Sequence, residues 1–244
     1  MNERDEIRLP DSTGGLFELA FSSYGRRLPL YLGFAFIAFA LQGICALASP
    51  KNEGVQLAAN FVIDGFLCGL VTCGIIADLR SREPRGARSI LSDVLARWWV
   101  LALVYVVVGV LFTPLLVQLL AVGDPALLAL APVFVLFWGA LSFATVVAAV
   151  DHTTNEALLP ILSIGRSLQV ALPFANLGRL ALLSLAFLVP LLIQSILQDQ
   201  LSLRHVRFAE FWAEIPIDVL TIGPLQAIAT IFYLDFVRRL ATRT

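Results

Sequence analysis

Residues 98–150 read WWVLALVYVVVGVLFTPLLVQLLAVGDPALLALAPVFVLFWGALSFATVVAAV. These 53 residues carry one charged side chain, Asp124. As a single helix they would extend about 80 Å at 1.5 Å per residue, whereas the hydrocarbon core of a bilayer is about 30 Å thick. The run must cross, turn and cross back, and Gly123-Asp124-Pro125 near its middle is the turn.

Working outward, the same arithmetic finds four more spans. The first is expected at Leu28–Ser49 and the second at Val55–Asp78, joined by the hydrophilic stretch 50–54. The fifth is expected at Leu177–Leu197, with Pro190 inside it, and the sixth at Ile215–Val237. Only 14% of the 244 residues are charged and 59% are hydrophobic, where soluble domains carry about 25% charged residues. The expectation is an all-α polytopic membrane protein of six transmembrane helices. Its divisions are an N-terminal amphipathic segment (1–27), a membrane domain (28–237) and a short tail (238–244). Arg26-Arg27, an apolar run and Ala46-Leu47-Ala48 also resemble a signal peptide. The run of about 20 residues exceeds the 7–15 usual for such a core, so it reads as an uncleaved anchor.

Between the spans lie amphipathic stretches suited to a membrane surface. Leu16, Leu19, Ala20 and Tyr24 form one apolar stripe, with Ser12 and Thr13 as candidate helix caps. In GARSILSDVLARWW (86–99), Ile90, Leu91, Val94, Leu95 and Trp98 fall on one side and Ser89, Ser92 and Asp93 on the other. Arg80, Arg82, Arg85, Arg88 and Arg97 make this region strongly basic, and Trp98 sits where an aromatic belt belongs. These six are candidate lipid contacts. A third surface helix is expected around Leu158, Ile161, Leu162, Leu168 and Leu172, with Ser163, Arg166 and Ser167 opposite. GARSIL before Arg97 echoes IGRSLQ before Arg179, as a repeat of span, surface helix and span would.

Six spans place both termini on one side, and fourteen of the seventeen basic residues fall there with them. The positive-inside rule makes that side cytoplasmic. Sixteen of the seventeen are Arg, the bias of a GC-rich bacterial genome, so the expected location is a bacterial plasma membrane.

Polar residues inside the apolar phase mark candidate sites. Asn60, Asp64 and Cys68 share one face of the second span, beside a Gly65/Gly69 pair suited to close helix contact. A carboxylate at a helix centre costs about 2.5–3.5 kcal/mol, against roughly 4 kcal/mol returned by nine large apolar residues of that span. The span is marginal alone, and Asp64 must face protein or water. In the sixth span Asp218, Gln226, Thr230 and Tyr233 form a polar stripe near Gly223-Pro224, which reads as an interruption of the helix. A broken helix with a polar stripe suits a transporter site; it is also an ordinary kink.

Signatures of catalysis are absent: GxSxG, HExxH, Walker A and GxGxxG do not occur. Cys45, Cys68 and Cys73 lie in apolar runs and form no disulfide framework, and His152 and His205 fall on opposite sides of the membrane. The nearest acid/base cluster is Asp151-His152 with Glu156, which also fits a solvated interfacial loop. No cofactor or metal is expected, and the chain is read as not an enzyme.

GPLQAIATIFYLDFVRR (223–239) and VDHTTNEALLPILSIGRSLQV (150–170) resemble the membrane domain of some bacterial glycerophosphodiester phosphodiesterases and related six-span proteins. The resemblance spans roughly residues 60–244 and rests on short motifs. Its matching positions are Asp151 or Glu156, Arg166, Ser167, Tyr233, Asp235 and Arg238, and all of these but Tyr233 form a candidate cytoplasmic cluster. The family's soluble catalytic barrel has no counterpart here. The resemblance therefore implies a stand-alone membrane module and not a hydrolase. The basic 80–97 helix suits anionic lipid, so the expected role is to contact lipid at the cytoplasmic leaflet or to assist another membrane protein or a second copy of itself. The alternative is a small proton- or cation-linked carrier built on Asp64 and the sixth-span stripe. Nothing in the charge pattern points to nucleic acid.

Overall fold

A computed structural model describes residues 7, 9–48, 53–80, 85–109, 125–150, 158–205 and 209–242. Among them every regular element is helical: α1 (Thr13–Arg26), α2 (Leu28–Ala48), α3 (Glu53–Arg80), α4 (Ala87–Leu95), α5 (Trp98–Gly109), α6 (Pro125–Val150), α7 (Leu159–Ala171), α8 (Leu177–Leu203) and α9 (Ala209–Ala241). Five are long and apolar enough to cross a membrane: α2, α3, α6, α8 and α9. Counting α4 with α5, bent 66° at their junction, makes six. The protein is an all-helical polytopic membrane protein. Pro125 opens α6, where its missing N–H costs nothing; Gly123 and Asp124 of the expected turn lie outside the described residues.

The helices fall into three successive units with one order: short helix, arginine, outgoing helix, returning helix. They are α1–Arg27–α2–α3, α4–Arg97–α5–α6 and α7–Arg179–α8–α9. Each arginine reaches across to the far end of its own returning helix. Arg27 binds Asp78, Arg97 binds the Ala148 and Ala149 carbonyls, and Arg179 binds Asp235, at sequence separations of 51, 51 to 52 and 56. Each short helix packs on the returning helix of the unit before it: α4 on α3, α7 on α6, and α1 back on α9, which closes a ring. The returning helices α3, α6 and α9 touch one another at the centre, and α2 and α8 lie outside them. The echo of GARSIL and IGRSLQ in the sequence is thus two parts of a threefold pattern, whose first member, α1 and Arg27, lacks the motif.

The closure of the ring decides what α1 does. Ser12 caps the helix, its Oγ accepting from the Gly15 N–H at 3.1 Å. Arg238 donates to the Leu9 carbonyl, the Phe17 ring meets Phe232 edge-on at 5.1 Å, and Tyr24 lies against Gly223. As α1 rises from 13 to 26 its contacts descend α9, so the two run antiparallel. The stripe expected on a lipid surface faces protein instead, with Leu16 and Ala20 fully buried and Tyr24 nearly so. Gly223-Pro224 does not interrupt α9, which is continuous through both residues. A Cβ on Gly223 would meet the Tyr24 ring at 2.6 Å, so the glycine makes room for α1 and is no hinge. A proline is tolerated because neighbouring helices surround it.

α7 buries Ser163 and Ser167 fully, together with Leu159, Val170 and Ala171, while Ile161, Leu162 and the preceding Leu158 are exposed on the side that carries Arg166. Small residues let α7 approach α6 and α9 closely, and Ser167 satisfies itself on the Ile164 carbonyl at 2.7 Å. The exposed Leu158, Ile161 and Leu162 suit contact with lipid. The Gly65/Gly69 pair is likewise filled by a helix, with Leu101 and Tyr105 of α5 packed against it.

Candidate functional site

Two regions gather polar side chains: the axis between the three returning helices, and the end of the bundle where all three junction arginines lie.

On the axis, one residue from each returning helix meets at a single point. The Gln226 amide of α9 donates to Thr72 of α3 at 2.8 Å and to Thr145 of α6 at 3.1 Å. Thr72 and Thr230 share a hydrogen bond at 3.2 Å, and Thr230 also donates to the Gln226 carbonyl. These groups satisfy one another, as buried polar atoms in hydrocarbon must. On one side of the network lies a cavity of about 160 Å³, with Cys68, Tyr105, Trp138, Ser142 and Thr145 among its walls and Gln226 at its edge. On the other side the space is filled. Phe143, Phe232 and Phe236 are fully buried and meet edge-on or tilted, and the Tyr233 ring packs against Phe143.

Of the expected intramembrane site, the structure brings Gln226 and Thr230 into this network and places Tyr233 one turn further along. Asp64 stands apart. Its carboxylate accepts from the Gln42 amide of α2 at 2.9 Å, and it does not line the cavity. Asn60 is half-buried on α3, one turn from Asp64. The Asp218 side chain lies outside the described residues. Thr72, Thr145 and Gln42 carry no sequence signal, because a lone Thr or Gln in an apolar span is cheap.

The arginine end is built from ion pairs. Arg27 binds Asp78 in a fork, at 2.6 and 2.5 Å, with the two side chains 11% and 7% exposed. The Asp78 hydrogen bond raises the Arg27 pKa above its ordinary value against the opposing effect of burial, so the guanidinium stays charged throughout the physiological range. Asp235 is fully buried and is bound by three arginines: Arg179, Arg238 at 2.8 Å and Arg239 at 2.8 Å. Two of them hold the start of the chain as well. Arg179 donates to the Asp11 carbonyl, and Arg238 to the Leu9 carbonyl at 2.9 Å and the Asp11 carboxylate at 3.0 Å. Asp235 and Arg238 of the expected cytoplasmic cluster therefore meet. Arg166 is exposed on α7, Ser167 is buried beneath that helix, and Asp151 and Glu156 lie outside the described residues.

Of the basic region after α3, Arg80, Arg85 and Arg97 line a cleft of about 480 Å³ between α3, the α4–α5 elbow and the end of α6. Arg88 is exposed on α4, Trp98 is half-exposed, and Arg82 lies outside the described residues. Among the described residues no group of three His, Cys, Asp or Glu could hold a metal ion. Comparison with family models, with curated proteins and with solved structures finds no match.

Proposed function

We propose a non-enzymatic membrane module of a bacterial plasma membrane, with both termini in the cytoplasm, that engages anionic lipid through its arginine end and so supports a partner membrane protein. The observation that carries this reading is the convergence of Arg27, Arg80, Arg85, Arg97, Arg179, Arg238 and Arg239 on one end of a bundle whose axis is filled with aromatic rings beneath them. The positive-inside rule supports the orientation. The resemblance to a phosphodiesterase membrane domain supports a module that works without its own catalytic barrel. Exposed basic residues near a membrane surface, such as Arg80 and Arg85 here, attract anionic headgroups by about 1 kcal/mol each. Native mass spectrometry of protein released from mixed phosphatidylglycerol/phosphatidylcholine membranes tests the reading. Retention of the anionic lipid several-fold above its share supports it; retention in proportion overturns it. A reporter fused after residue 244 is expected to be active in the cytoplasm and silent outside.

The cavity at Gln226 favours a second reading, a small proton- or cation-linked carrier. It predicts ion flux into proteoliposomes that is lost in both Asp64→Asn and Gln226→Leu. Asp64 bonds Gln42 and is not among the residues that line the cavity, and the aromatic rings beyond Gln226 fill the axis, which weighs against it.

A further inference from the structure

We propose that the cleft between α3, the α4–α5 elbow and α6 binds the phosphate of one anionic phospholipid, an inference that rests on the lipid reading above. Among its described lining residues the charged groups are Arg80, Arg85, Arg97 and one acid, Asp93, around a volume of about 480 Å³. That volume falls in the roughly 300–1,000 Å³ range of small-molecule sites. Guanidinium forks match phosphate oxygens two at a time. Arg97 is set in place by the Ala148 and Ala149 carbonyls at 3.5 and 3.3 Å. The Arg85–Asp93 pair is long, at 3.5 Å, with both side chains more than half exposed. Such a pair is weak, so exchanging it for phosphate costs little.

The neighbouring surface says which phosphate. On the lipid side of the elbow, Phe34, Leu41, Phe66, Leu91 and Trp98 line an apolar groove of about 270 Å³ between α2 and α3. Arg97 and Trp98 are consecutive, so the 66° elbow presents a guanidinium to the cleft and an indole to the groove. A headgroup in one and an acyl chain in the other describe a phospholipid, and free phosphate would fill only half of this surface.

Titration of the full-length protein in detergent with short-chain phosphatidylglycerol tests the site. Arg80→Gln with Arg85→Gln is expected to weaken binding about tenfold to thirtyfold, and Arg26→Gln, an exposed charge in the last turn of α1 outside the cleft, less than about twofold. Phosphatidylglycerol should slow alkylation of Cys73, in the cleft wall, several-fold at the peptide level, and phosphatidylcholine should not. Equal losses from Arg26→Gln and from the cleft variants would show diffuse attraction and overturn the site, as would unprotected Cys73. Displacement of the lipid by equimolar inorganic phosphate would also overturn it, in favour of a free-anion site. If the wild type prefers anionic lipid and the double variant keeps that preference, the site fails while the broader reading stands; if the wild type has no preference, both fail.

Discussion

Arg27 and Arg179 occupy equivalent places, each at the base of an outgoing helix, and each reaches an acid at the end of the helix that returns. At the first junction one arginine meets one aspartate, both nearly buried, and the charges cancel. At the third, one fully buried aspartate faces three arginines, and two of these extend to residues 9–11. The first pair closes a hairpin. The third closes the hairpin and also fastens the start of the chain to its end, because α1 packs on α9 in the ring. Equivalent positions thus carry unequal loads: among the described residues the third junction sets Asp235 and the exposed Asp11 carboxylate against three arginines.

The difference can be broken by substitution. Asp235→Asn leaves three guanidinium groups around a neutral amide, and removing one partner of a buried pair costs about 3–5 kcal/mol. This is the largest expected effect, read as loss of the folded fraction in detergent denaturation. Asp78→Asn strands a single arginine that can move toward the interface, and about 2–3 kcal/mol is expected by the same measurement. A larger loss from Asp78→Asn than from Asp235→Asn would reverse the ranking of the two junctions. Gln226→Leu removes two hydrogen bonds between helices, and at about 0.6 kcal/mol each in a membrane the loss is about 1 kcal/mol. Asp11→Ala comes last. Its carboxylate is 94% exposed beside Arg238, while its carbonyl, the acceptor from Arg179, survives the change. No resolvable shift is expected.

The spans are legible in the sequence because lipid thickness and apolar run length are both local quantities. Expected starts at Leu28 and Leu177 coincide with those of α2 and α8. The ends differ more. α8 continues to Leu203 and α9 begins at Ala209, since a helix can extend past the hydrocarbon into the polar boundary. Asp235 with Arg238 and Arg239 is also local, at i, i+3 and i+4. Arg179, 56 residues away, is invisible to any periodicity. The same holds for α1, whose stripe reads equally well against lipid or protein until α9 is seen to fill that place. The polar stripe near Gly223-Pro224 imitates a transporter hinge, and only the Tyr24 ring in the space beside Gly223 shows a packing notch. Thr72 and Thr145 carry no signal because their role lies in the convergence of three helices.

The ring closed by α1 on α9 is what sets the third junction apart from the first. Cross-linking of Phe17→Cys with Phe232→Cys, in a background with Cys45, Cys68 and Cys73 replaced by Ala, tests it most directly, because the two native rings are 5.1 Å apart. Efficient linkage within one molecule by a short reagent is expected, and little from Phe21→Cys, which is 54% exposed on the outer face of α1. Linkage only between molecules, or equal linkage from positions 17 and 21, would contradict it.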